Sequence, residues 1–234
     1  MSGIYTDGDY LATTKTWHIE DSHWKAKQIA EILAKVDCVI NNVAEIGCGA
    51  GGILEEISRY NLMRSAKLRG YDVSPQAIEL CKRVADSNID FRCCDPLEPD
   101  NKEYFDLLLV IDVLEHVPDY MGFLQKCKRK ATYKIYHIPL DIHVSSVLRD
   151  SLTNARQSVG HLHYFTARTA LATLQDTGHE ITDYFYTNGA LGLFSKHPSF
   201  KRAVANCLRW LVSRVSVSLS ARLFGGYSLL VLAK

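Results

Sequence analysis

An apolar stretch, Val43-Ala44-Glu45-Ile46, runs straight into Gly47-Cys48-Gly49-Ala50-Gly51-Gly52, and a helical pattern with Ile53, Leu54 and Ile57 follows. A strand ending in so many glycines before a helix constrains the chain strongly. Glycine tolerates positive φ and lets backbone approach a ligand closely, and the helix that follows aims its free amides at the same place. Asp72 stands 20 residues after Gly52, at the end of a second apolar run over 68–73. An acid there is placed for ribose hydroxyls. Taken alone, Gly47-x-Gly49-x-x-Gly52 satisfies a dinucleotide fingerprint, so a nicotinamide enzyme is one reading of the turn.

The alternation continues along the chain. Asp21 or Ser22 caps a helix whose apolar positions are Trp24, Ile29, Ile32 and Leu33, and Ser74-Pro75 caps another running to Arg83. Strands are expected at 89–94, 105–111, 133–138, 181–186 and 227–232, with a turn or helix at 114–116 and a helix over 166–177 closed by Gly178. Several strands are apolar throughout. That is the mark of a parallel sheet covered on both faces, so the fold class is α/β, doubly wound. With no repeat or linker, the 234 residues read as one domain. Residues 1–38 form an N-terminal helix or lid, 39–190 the core, 191–226 a basic helical arm and 227–234 the last strand.

Charge is uneven. From Tyr184 to the end there are seven basic and no acidic residues, whereas the first 183 residues hold 20 basic and 26 acidic ones. The whole chain is nearly neutral, at +1, which argues against wrapping nucleic acid. Within the arm, Val204, Leu208, Leu211 and Val215 recur at helical spacing, with Arg202, Arg209 and Arg214 elsewhere on the wheel. Such an element caps a substrate cleft or, alternatively, lies on an anionic membrane. The stretch 215–220 alternates with period two, so part of it could be a strand. The seven cysteines are odd in number and lack Cys-x-x-Cys spacing, which suits reduced thiols in a cytoplasmic compartment and gives no metal site. No signal peptide or membrane span is expected.

Three further features separate the glycine turn from a nicotinamide site. Glu45 lies two residues before Gly47, Asp95 follows the third strand, and the fourth strand ends in Asp112-Val113-Leu114-Glu115-His116. Together with the glycines and Asp72, these resemble the class I S-adenosylmethionine-dependent methyltransferases, in the branch of the ubiquinone-biosynthesis O-methyltransferases, over about residues 40–190. The resemblance implies a seven-stranded, mostly parallel sheet with an antiparallel last strand. It also implies S-adenosylmethionine as cofactor and S-adenosylhomocysteine as product. Gly47, Cys48, Gly49 and Gly51 would cradle the methionine portion, with Glu45 ordering the turn. Asp72 would take the ribose hydroxyls and Val73 would pack on the adenine. Asp95, with Cys94 beside it, would meet the adenine edge, and Ile111 and Asp112 would lie along the methionine moiety.

The acceptor is expected to be a small molecule, most simply through a hydroxyl oxygen, because Ile111-Asp112-Val113-Leu114 is not the Asn/Asp-Pro-Pro-aromatic signature of amine methylation. A hydroxyl acceptor calls for a base near neutral pKa, and His161, His163 and His116 are the candidates. Glu115 reads as a solvated acid in a first helical turn. Trp17, His18 and Trp24 could fold over the site as a lid. The competing readings are a nicotinamide-dependent oxidoreductase, for which no Tyr-x-x-x-Lys pair appears, and a non-catalytic binding or membrane-docked module.

Overall fold

The computed structural model describes residues 19–36, 38–84, 88–192 and 200–234. Helix α1 (Ser22–Leu33) precedes strand β1 (Asn42–Ile46), and the glycine turn leads into α2 (Gly52–Ser58). There follow β2 (Lys67–Asp72), α3 (Pro75–Cys81), β3 (Ile89–Cys93) and β4 (Phe105–Ile111). A 3-10 turn at Leu114–His116 leads to α4 (Tyr120–Lys128) and β5 (Ala131–Pro139). After two short helices, α5 (Val144–Leu148) and α6 (Ser151–Ser158), come α7 (Ala167–Asp176) and β6 (Ile181–Thr187). The chain ends with α8 (Gly189–Gly192), α9 (Phe200–Val215), α10 (Val217–Phe224) and β7 (Ser228–Ala233).

The seven strands form one sheet in the order β3-β2-β1-β4-β5-β7-β6. The first five are parallel, while β7 runs antiparallel between β5 and β6. The α/β expectation, with its antiparallel last strand, is met. Strand β4 shows why its sequence is apolar without alternation. Leu107 and Leu109 pack on one face with Ile29, Ile32 and Leu54 of α1 and α2, and Leu108 and Val110 pack on the other with Leu124 and Leu174 of α4 and α7. Both faces are buried, so both parities must be apolar.

Strand order reverses between β1 and β4. The carboxyl ends of these two strands therefore open into a crevice, the place where open α/β sheets bind ligands.

The described part of the arm is helical apart from Ser216, Gly225 and Gly226, and the alternation at 215–220 is not a strand. Ser216 breaks the helix into two, its hydroxyl accepting from the Leu219 amide at 3.2 Å to start α10. Trp17 and His18 lie outside the described residues.

Candidate active site

Local chemistry builds the first wall. Gly47, Gly49 and Gly51 all adopt positive φ, +71°, +55° and +78°. A β-carbon on Gly47 would lie 2.6 Å from Val113 Cγ2, and one on Gly51 would lie 2.6 Å from the Phe91 ring, so both approaches demand glycine. The Gly47 and Cys48 amides donate to the Tyr71 carbonyl at 2.8 and 3.1 Å, which locks the turn onto β2. Asp72 does the same from its side chain. Its Oδ2 accepts from the Gly49 amide at 3.0 Å and its Oδ1 from the Ser74 amide at 2.8 Å. Burial raises its pKa, and the two amides partly offset that rise.

These residues open on a cleft of about 560 Å³. Of the expected cofactor residues, Glu45, Gly47, Cys48, Gly49, Asp72, Val73, Cys94, Asp95, Ile111 and Asp112 line it. Gly51 does not; it is the N-cap of α2, and its neighbours Ala50 and Gly52 line the cleft instead. Asp95 turns its Oδ1 to the Leu97 amide at 2.9 Å. Glu45 is fully buried and its Oε2 has no hydrogen-bond partner. Burial drives its carboxyl well above the usual range, against the opposing charge of Lys25.

Asp112 sits in the left-handed region at φ +54°, a conformation a non-glycine residue holds only when its surroundings fix it. Three bonds do so. Its amide donates to the His137 carbonyl at 3.0 Å, Oδ1 meets His137 Nδ1 at 2.5 Å, and Oδ2 meets Lys25 Nζ at 2.8 Å. Burial alone would raise this carboxyl, but His137 and Lys25 outweigh it and hold it well below the ordinary carboxylate range. Lys25 also brings α1 over the crevice, and Trp24 beside it meets His137 edge-on at 6.3 Å. Neither Lys25 nor His137 was singled out by the sequence. The strand pairing that sets Ile111 opposite His137 is what brings β5 to this spot.

The far end of the cleft holds His116, Asp141, His143 and His161. Glu115 joins them, which corrects the expectation of a solvated acid. It is 1% exposed and neither carboxylate oxygen has a hydrogen-bond partner. The reason is tertiary: its backbone carbonyl accepts from the Leu162 and His163 amides at 2.8 and 3.1 Å, drawing the 160–163 segment over it. Burial raises its pKa well above normal, with Asp112 adding to the rise. His116 faces Gly160, and its Nδ1 must donate to that carbonyl, at 3.1 Å. Burial lowers its pKa to about 4. His161 places Nδ1 2.7 Å from Asp141 Oδ2. His163 lies off the cleft wall, tilted at 53° against Tyr120 with ring centroids 4.5 Å apart, and Nε2 meets the Pro118 carbonyl.

The arm closes the wall beyond. Arg209, placed on the wheel away from the apolar stripe, is buried. It donates to the carbonyls of Gly225 and Phe224 and to Asn206 Oδ1, fixing the loop whose Gly226 and Tyr227 line the cleft. The Val204, Leu208, Leu211 and Val215 stripe points outward, from 43% exposed at Val204 to 86% at Val215.

Residues 44–132 match the sequence family described as "Methyltransferase domain". The ubiquinone biosynthesis O-methyltransferase of Bradyrhizobium diazoefficiens is 41% identical over 88 residues, 36% of this chain and 33% of that protein. Its namesake from Rhodopseudomonas palustris strain HaA2 is 40% identical over 86 residues, covering 36% and 32%. The chain thus spans about a third of the length of these relatives. Likeness of fold extends further. A chain in the complex between the Haloferax volcanii Trm112 methyltransferase activator and the putative methyltransferase superposes with a TM-score of 0.66 at 15% identity, covering 97% of this chain and 94% of that one. The N-methyltransferase NodS of Bradyrhizobium japonicum, solved with S-adenosylhomocysteine, gives 0.56 at 18% identity, covering 92% and 85%. Magnesium protoporphyrin IX methyltransferase from Synechocystis, also with bound S-adenosylhomocysteine, gives 0.58 at 14%, covering 90% and 82%. The chain has the class I methyltransferase fold, and its residues 44–132 match the methyltransferase-domain family.

Proposed function

We propose that this chain is an S-adenosylmethionine-dependent methyltransferase acting on the hydroxyl oxygen of a small molecule. The observation that carries the reading is one continuous cleft, with the glycine turn and Asp72 on one wall and the His116–His161–Asp141 group on another. The residues present fit the cofactor. Asp72 uses two acceptor positions on the Gly49 and Ser74 amides, and a carboxylate has about four, which leaves room for ribose hydroxyls. Glu45 offers a buried oxygen without a partner, and the positive-φ glycines clear the approach. When bound, S-adenosylmethionine supplies a methyl group already activated on a sulfonium.

The chain's own work is then positioning and proton handling. Trp24 and Lys25 of α1 roof the crevice, and the Lys25–Asp112–His137 bonds hold that roof to the sheet. His161, with Nδ1 donating to Asp141, turns Nε2 toward the far end of the cleft, where it receives the acceptor's hydroxyl hydrogen. General-base help of this kind contributes about 10²–10⁴-fold, so His161→Gln is expected to lower kcat by roughly 10²-fold or more while S-adenosylhomocysteine affinity stays as in the wild type. Transfer of labelled methyl groups to a panel of hydroxylated metabolites tests the reading; unchanged turnover in the variant would remove His161 from it.

The arm supports two readings of its own. Arg209, anchored on the loop that walls the cleft, favours a substrate-capping role. The outward apolar stripe, with Arg214 stacked over Trp210 at 5.0 Å, favours contact with an anionic membrane surface.

A further inference from the structure

Glu115, His116 and His161 bring one carboxylate oxygen and two ring nitrogens within 4.8 Å of one another. We propose that this group is a divalent-cation site, a Glu-His-His set for a first-row ion such as Zn²⁺ or Mn²⁺.

Glu115 Oε1 lies 3.8 Å from His116 Nε2 and 3.9 Å from His161 Nε2. These separations are too long for hydrogen bonds. Ligands about 2.1 Å from a tetrahedral ion stand roughly 3.4 Å apart, so the three atoms need to move only a few tenths of an ångström to a shared centre. A fully buried carboxylate with both oxygens unpartnered is costly in itself, and a cation supplies the missing partner.

The surroundings fix the ligand atoms. His161 Nδ1 is 2.7 Å from Asp141 Oδ2, and His116 Nδ1 is 3.1 Å from the Gly160 carbonyl. Both acceptors require the hydrogen on Nδ1, so each ring presents Nε2 to Glu115. A carboxylate or carbonyl behind each ligating imidazole is the arrangement that sets ring orientation and basicity in metal centres. The amides of Leu162 and His163, bonded to the Glu115 carbonyl, join the two halves of the site across more than 40 residues. The group faces the cleft, so an ion there would keep an open position, as two histidines and one carboxylate do in catalytic sites. The site rests on this geometry and not on methyl transfer: an ion on His161 Nε2 would displace that atom from the base role and would instead lower the pKa of the acceptor hydroxyl it binds.

The test is calorimetric titration of the chelator-stripped full chain with Mn²⁺ and with Zn²⁺, alongside a titration with S-adenosylhomocysteine. One cation per chain is expected, with thermal unfolding raised on loading. Glu115→Gln and His161→Gln are each expected to weaken cation binding by 100-fold or more, and Asp141→Asn by about 10-fold. All three are expected to keep the wild-type affinity for S-adenosylhomocysteine. Mn²⁺ separates this site from the seven thiols, which favour Zn²⁺. Should a substitution at Glu115 or His161 impair folding, Asp141→Asn carries the test. Absence of Mn²⁺ and Zn²⁺ binding at millimolar concentration, or binding that survives the substitutions, overturns the proposal. Cation binding without S-adenosylhomocysteine binding would instead overturn the methyltransferase reading and leave this one standing.

Discussion

At Asp72 a single carboxylate takes amides from both the glycine turn and the start of α3. Its removal should therefore act on the cleft and not only on one ligand contact. Asp72→Ala is expected to weaken S-adenosylhomocysteine binding by about 1.5–3 kcal/mol, the range for hydrogen bonds to a charged group, measured by calorimetry. Binding equal to wild type would remove the ribose assignment. Away from the cleft, His179 accepts or donates to the Tyr136 hydroxyl at 2.7 Å and is 4% exposed. Burial lowers its pKa to about 4. Between about pH 6.5 and 4 the unfolded chain then binds a proton that the folded chain refuses, so stability falls as pH falls through that window. Replacing it by Gln should flatten the acid limb of the unfolding free energy by about 2 kcal/mol between pH 7 and 4. An unchanged slope would mean that His179 is not the group responsible. Asp72 and the glycines were legible in the sequence because strand-end and turn chemistry is local. Glu115 was not, because its burial depends on the 160–163 segment.

Element boundaries follow from equally local signals where a cap is present. Thr166 accepts from the Thr169 amide at 3.1 Å and Thr169 returns the bond to the Thr166 backbone, a capping box that starts α7. Thr166→Ala should cost about 1 kcal/mol in chemical denaturation, and a loss near zero would show that the box is not what holds this end. Strand β4 was readable residue for residue, since both of its faces are buried. Helix α4 and the short helices α5 and α6 escaped notice. Their mixed sequences carry little apolar periodicity, and Asp119 and His143 cap α4 and α5 with side chains that look like ordinary loop residues. The arm shows the opposite failure. Its helical spacing was plain, but spacing alone does not say which face turns inward, and here the buried contact is made by Arg209.

Over the whole molecule, a net acidic core is joined to a basic arm. Among the described residues no helix is long and apolar enough to cross a membrane. If the arm's stripe meets a lipid surface, the chain should sediment with anionic vesicles at low salt and be released as salt screens Arg214 and Arg222. Leu208→Asp with Leu211→Asp should abolish this while leaving S-adenosylhomocysteine binding intact, since both residues point outward. Sedimentation that persists in the double variant, or none at low salt, would leave the arm as a cap on the cleft. The sheet order, with its reversal between β1 and β4, was inferable only through the family resemblance, because strand pairing joins segments far apart in sequence. The most direct measurement of the central claim is calorimetric titration of the wild-type chain with S-adenosylhomocysteine and, separately, with NADH. Saturable one-to-one binding of S-adenosylhomocysteine and none of NADH is the predicted result. Binding of NADH, or no heat with S-adenosylhomocysteine, would contradict it.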